Sequence, residues 1–204
     1  MATPGQLVQV MANVLGISKA TVVQYDRVLS EHGLRSKHGR GTSAAQVTSR
    51  DAANLLTAIA ASSPLGLSAK DAVEICKRFS ALVSGGPARA KAEVSKLGFK
   101  RLVSLPDGHS FGKALAALVE CGGQSEFSRM DDGAVWVQFS GPIASAQIIV
   151  GNWRFGIYGG TRKYKRLSRS GRSERGLIHT SSVNTPTIRA LGSLLMQPGT
   201  SDDH

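Results

Sequence analysis

The stretch "LGISKATVVQYDRVLSEHG", Leu15 to Gly33, decides how this chain is read. Gly16 breaks the apolar helical pattern before it, and Ser18 opens another. Glycine enters a left-handed backbone conformation without a Cβ penalty, so it suits a tight turn between helices. Upstream, Thr3-Pro4 reads as an N-cap and a first-turn proline, and Leu7, Val10, Met11 and Val14 recur at helical spacing. Downstream, Val22, Tyr25 and Leu29 share one face of the second helix. Two helices joined this way need a small residue where they cross and an apolar wedge in the angle between them. Ala12 meets the first demand, and Val22, beside Ile17, meets the second. The second helix is left with an outer ridge of Lys19, Thr21, Gln24 and Arg27.

Such a ridge suits a DNA groove. An α-helix fits the major groove, where Gln bonds adenine and Lys bonds guanine or phosphate. The expectation is base contact by Lys19, Thr21 and Gln24, with Ser18 and Arg27 on phosphates. Charge points the same way. The 204 residues carry a formal net charge of +11, which favours polyanionic partners. The excess is local: residues 1–62 hold six Lys and Arg against three Asp and Glu, and residues 161–176 hold seven against one.

After Gly33, "LRSKHGRGTSAAQV" reads as a basic two-stranded loop with glycines at its tip. Thr48 and Asp51 then form a T-x-x-D capping box for the helix "AANLLTAIAAS". The succession "TVVQYDRVLSEHGL", basic loop, "VTSRDAANLLTAI" resembles the MerR-like winged helix-turn-helix family, over about residues 4 to 62. In that family the recognition helix runs through an aromatic-acid-arginine stretch, here Tyr25-Asp26-Arg27, and a two-stranded wing follows. The resemblance implies base reading by Lys19, Thr21 and Gln24, and phosphate contacts from the wing by Arg35, Lys37, His38 and Arg40. The family's long dimerising coiled coil is absent. "SSPLG" takes its place, and no cysteine cluster stands in as a metal sensor. The resemblance therefore implies DNA binding without a metal- or drug-sensing role.

The break "SSPLGLS", Ser62 to Ser68, suggests a domain boundary. Beyond it, Ser68 and Asp71 repeat the capping spacing ahead of "AVEICKRFSALVS". A short helix is expected over 88–97, and another in "FGKALAALVE". The period then changes. "AVWVQFSG", "AQIIVGNWRFGIYGG" and "GLIHTSSV" alternate and are rich in β-branched and aromatic residues, and "TPTIRALGSLL" closes as a helix behind Thr185 and Pro186. The expected fold class is α+β in two domains. A winged helix-turn-helix covers 1–62. An α+β domain covers 68–199, with helices over 68–122, a β-hairpin and basic loop over 133–183, and a closing helix over 185–196.

The loop "TRKYKRLSRSGRSERG" holds Arg162, Lys163, Lys165, Arg166, Arg169, Arg172 and Arg175. Its charge serves a polynucleotide, the solubility of a hairpin loop or, with no apolar face beside it, least readily an anionic membrane. Chemistry finds little support. Asp131-Asp132-Gly133 is a turn signal, and the glycines of "GNWRFGIYGGTRK" lack phosphate-loop spacing. The histidines stand at no metal-ligand spacing, and Cys76 and Cys121 lie in apolar helical contexts that suit buried thiols. Trp136 and Trp153 are expected as core anchors by default, with stacking on a nucleobase open to one exposed on the sheet. No catalytic residue, metal or cofactor is expected. No apolar run reaches the roughly 20 residues of a membrane span, and no secretory signal is evident.

These features predict a cytoplasmic, homo-oligomeric regulator acting on double-stranded DNA in the bacterial cytosol or nucleoid, with the transcription machinery as a further partner. The Ala/Gly-rich basic character and this layout are similar to small regulatory proteins of bacterial phages and gene transfer agents. A sequence-tolerant architectural or packaging protein and a non-enzymatic interaction module are the alternative readings.

Overall fold

The computed structural model describes residues 2–36, 46–62, 69–84, 94–128, 130–141, 143–151, 153–159 and 179–196. The expected wing tip and the second basic loop fall outside these residues. Helix α1 spans Pro4–Leu15. The Thr3 hydroxyl accepts from the Gln6 N–H, and the Gln6 side chain accepts from the Thr3 N–H at 2.8 Å, a reciprocal cap. The helix stops at Gly16, whose φ of 64° and ψ of 32° are left-handed and whose N–H donates to the Ala12 carbonyl. Helix α2 spans Lys19–Glu31 behind Ser18 as N-cap. Thr48 and Asp51 open α3, Ser49–Ser62: the Thr48 N–H and hydroxyl donate to Asp51 Oδ2 at 2.9 and 2.7 Å. From Asp51 onward every residue of α3 is buried, which marks it as the central helix.

A 3-10 turn over Ala69–Asp71 leads into α4, Ala72–Ser80, and a two-residue strand β1, Val83–Ser84. Helices α5, Lys100–Val103, α6, Phe111–Gly122, and α7, Ser125–Ser128, come next. Strands β2, Val135–Gly141, β3, Ser145–Val150, β4, Trp153–Gly159, and β5, His179–Asn184, precede the closing helix α8, Thr185–Met196. The sheet runs β1-β4-β3-β2-β5, antiparallel throughout. One face carries Val135, Val137, Phe139, Ile148 and Val150, all buried, and meets the helices. The Phe139 ring lies 5.9 Å from that of Phe79 on α4 and 5.6 Å from that of Phe111 on α6, centroid to centroid. The fold is α+β, as expected.

Three expectations need correction. The helix expected to run to Ser84 ends at Ser80, because Val83 and Ser84 pair with Tyr158 and Gly159 at the sheet edge. The two expected domains share one core. α3 packs against α2 on one side and against α4, α6, β2 and β5 on others, while α1 lies on α8. Buried residues from Leu7 to Leu194 accordingly form a single cluster. Trp136 is no core anchor. Strand alternation turns it away from Val135 and Val137, it stays 38% exposed, and its Nε1–H donates to the Gly133 carbonyl. The side chain of Trp153 is outside the described features.

Helices α6 and α8 cross at glycine. A Cβ on Gly192 would overlap the backbone of Gly122 and Gly123, and one on Gly122 would overlap the Ile188 carbonyl. Gly122 ends α6 and Gly123 caps it, and both glycines also let two backbones approach.

Candidate nucleic-acid interface

Helix α2 is anchored on its inner face by Val22, Tyr25 and Leu29, which are 0%, 7% and 1% exposed. Ala12 of α1 is buried at the crossing, as the wedge geometry requires. Lys19, Thr21, Gln24 and Arg27 are exposed together along the outer face. Val23 stands among them at 46% exposure. The sequence reading missed Val23, although its place one residue after the buried Val22 already turns it outward. An apolar side chain on such a ridge can meet a thymine methyl group.

Two members of the ridge are shaped by neighbours. The Ser18 hydroxyl caps the helix, accepting from the Thr21 N–H at 3.1 Å, and it shares a 2.7 Å hydrogen bond with the Thr21 hydroxyl. Arg27 Nε donates to Glu31 Oε1 at 2.8 Å one turn on, and this bond favours the charged guanidinium.

Arg35, expected on a phosphate, is turned inward. Its Nε lies 2.9 Å from Asp26 Oδ1, and its Nη2–H and Nη1–H donate to Ser30 Oγ and the Ser36 carbonyl. The pair is nearly closed off, at 17% and 12% side-chain exposure. A charge in a sequence does not say which way its side chain turns. Here the buried Asp26 decides it, since a buried carboxylate needs a partner. Burial pushes the Asp26 carboxyl above its ordinary range, Arg35 pulls it down, and Asp51 pushes it up further. Asp51 Oδ1 in turn accepts from the Ser36 N–H at 2.7 Å. Asp26, Arg35, Ser36, Asp51 and Thr48 thus lock the end of α2 to the start of α3. Of the Tyr25-Asp26-Arg27 stretch, only Arg27 faces outward.

Lys37, His38 and Arg40 lie outside the described residues, as do Arg162, Lys163, Lys165, Arg166, Arg169, Arg172 and Arg175. Elsewhere the polar residues have structural roles. Asp131 begins a turn whose carbonyl accepts from the Ala134 N–H, and Asp132 pairs with Arg189 at 3.2 Å. His109 is buried, with its Nδ1 against the Pro106 carbonyl, and His179 is half-buried on β5. Cys76 and Cys121 are free and buried, and burial pushes both thiols up, away from the thiolate form. No group of metal-binding side chains occurs among the described residues, and no helix among them is long and apolar enough to cross a membrane. Comparison of the chain with protein-family models, curated proteins and solved structures gives no significant match.

Proposed function

We propose that the chain binds double-stranded DNA as a transcription regulator of the winged helix-turn-helix kind. In this reading α2 lies in the major groove, with Gln24 and Lys19 on base edges, Thr21 beside them and Val23 against a thymine methyl group. The observation that carries the reading is the division of α2. Its apolar face is anchored on Val22, Tyr25 and Leu29, while Lys19, Thr21, Gln24 and Arg27 remain exposed as a ridge. The left-handed turn at Gly16 supports it by setting α2 at an angle to α1. Phosphate contacts fall to Arg27 and, in the segment between α2 and α3, to Lys37, His38 and Arg40. Arg35 is turned inward to Asp26 and is not among them. A single module gains modest affinity, so two copies on paired half-sites are part of the proposal.

Selection of binding sites from a pool of random duplexes tests the reading. Enrichment of one short motif, repeated at a spacing of about one helical turn, is the expected result. Recovery of unenriched duplexes would favour a second reading, sequence-tolerant binding led by the seven Lys and Arg of residues 161–176.

A further inference from the structure

A cleft of about 420 Å³ lies between the first turn of α3, the end of α4 and the start of α6. Its charged lining is Arg50, Lys77 and Lys113, and no carboxylate lines it among the described residues. All three cations are exposed, and none is held by an ion pair or hydrogen bond among the described residues. Arg50 comes from α3, Lys77 from α4 and Lys113 from α6, so three separate helices bring these charges to one cleft. Ser110, the N-cap of α6, also lines the cleft, so the positive end of that 12-residue helix adds to the same field. Leu34 and Ala116 provide an apolar wall.

Three like charges around one concavity repel one another, and low-dielectric walls strengthen the field between them. An anion relieves that repulsion. Arg50 offers a planar donor fork suited to phosphate oxygens, while Lys77 and Lys113 offer point charges. The volume lies within the ~300–1,000 Å³ typical of small-molecule sites, larger than a bare phosphate needs. We propose that this cleft binds a phosphate-bearing ligand of nucleotide size. Its phosphate is held by Arg50, Lys77 and Lys113, and its flat or apolar body rests on Leu34 and Ala116. The proposal does not depend on α2 reading DNA.

Calorimetric titration of the full chain with inorganic pyrophosphate and with ADP, at about physiological salt, tests it. The basic loop also attracts anions, so two sets of variants are compared. One carries Lys77→Gln or Lys113→Gln, both exposed positions, and the other carries Arg162→Gln, Lys163→Gln, Lys165→Gln and Arg166→Gln together. The expected result is one saturable site that takes ADP at least as tightly as pyrophosphate. Each cleft substitution should weaken it by roughly tenfold, the scale of one charge-assisted contact, and the loop substitutions should leave it intact. Affinity unchanged by the cleft variants, affinity lost only in the loop variant, or no saturable binding would each overturn the proposal. A short duplex added at saturation separates the sources. Displacement of pyrophosphate one for one means that backbone phosphates fill the cleft, and retention means that a free ligand does.

Discussion

At the residue scale, Gly16 and Asp26 show how one position constrains its surroundings. Gly16 has a left-handed backbone and open space where a Cβ would stand, so Gly16→Ala should cost about 1 kcal/mol through backbone strain alone. Gly5→Ala is the matched control. It sits in right-handed helix with equally open space, and it should be neutral or gain up to about 1 kcal/mol. Urea unfolding of the two variants checks the pair. Asp26 makes a prediction about pH. Its folded-state pKa is raised by burial, so the folded chain holds the proton more tightly than the unfolded chain. The stability this contributes is full below the ordinary carboxylate range and is lost as pH rises through the raised value. Asp26→Asn does not titrate. The unfolding free energy of the wild type minus that of the variant should therefore shrink as pH rises upward from the ordinary carboxylate range. A difference that grows with pH would contradict the burial argument.

At the scale of elements, the α6–α8 crossing depends on contacts far apart in sequence. Gly192→Ala should destabilise by about 3 kcal/mol or more, because the new methyl group would overlap backbone atoms that cannot rotate away. Gly133→Ala, where a Cβ meets nothing within 4 Å, should stay within about 0.5 kcal/mol of the wild type in the same thermal melts. The contrast marks what the sequence makes legible. Helices α1, α2 and α3 announce themselves through Thr3, Ser18 and the Thr48–Asp51 box, because a cap and a 3.6-residue period are local signals. Strands β2 and β3 do so through alternation. Val83–Ser84 is legible only once β4 is beside it, and Gly122 only once α8 is. The outward ridge of α2 follows from periodicity alone. The inward turn of Arg35 does not, because the ion pair that holds it depends on how α2 and the following segment meet. Nor does the cleft around Arg50, Lys77 and Lys113, which three separate helices bring together.

At the scale of the whole molecule, one core unites α1 with α8 and α3 with the sheet, so α2 is presented by the entire fold. The net charge of +11 adds attraction that carries no sequence information. If the basic loop supplies about five phosphate contacts, changing Arg162, Lys163, Lys165, Arg166 and Arg169 together to Gln should reduce the log-log salt slope of DNA binding by about 4 to 5. Specificity should survive that change, because the proposal assigns it to α2. The central claim is that the exposed ridge of α2 reads bases. Its most direct test compares the affinity of wild type and Gln24→Ala for a selected duplex and for a scrambled one of equal length and salt. The account predicts a loss of about 1–3 kcal/mol on the selected duplex and almost none on the scrambled one. Equal losses on both duplexes, or no loss on either, would contradict it.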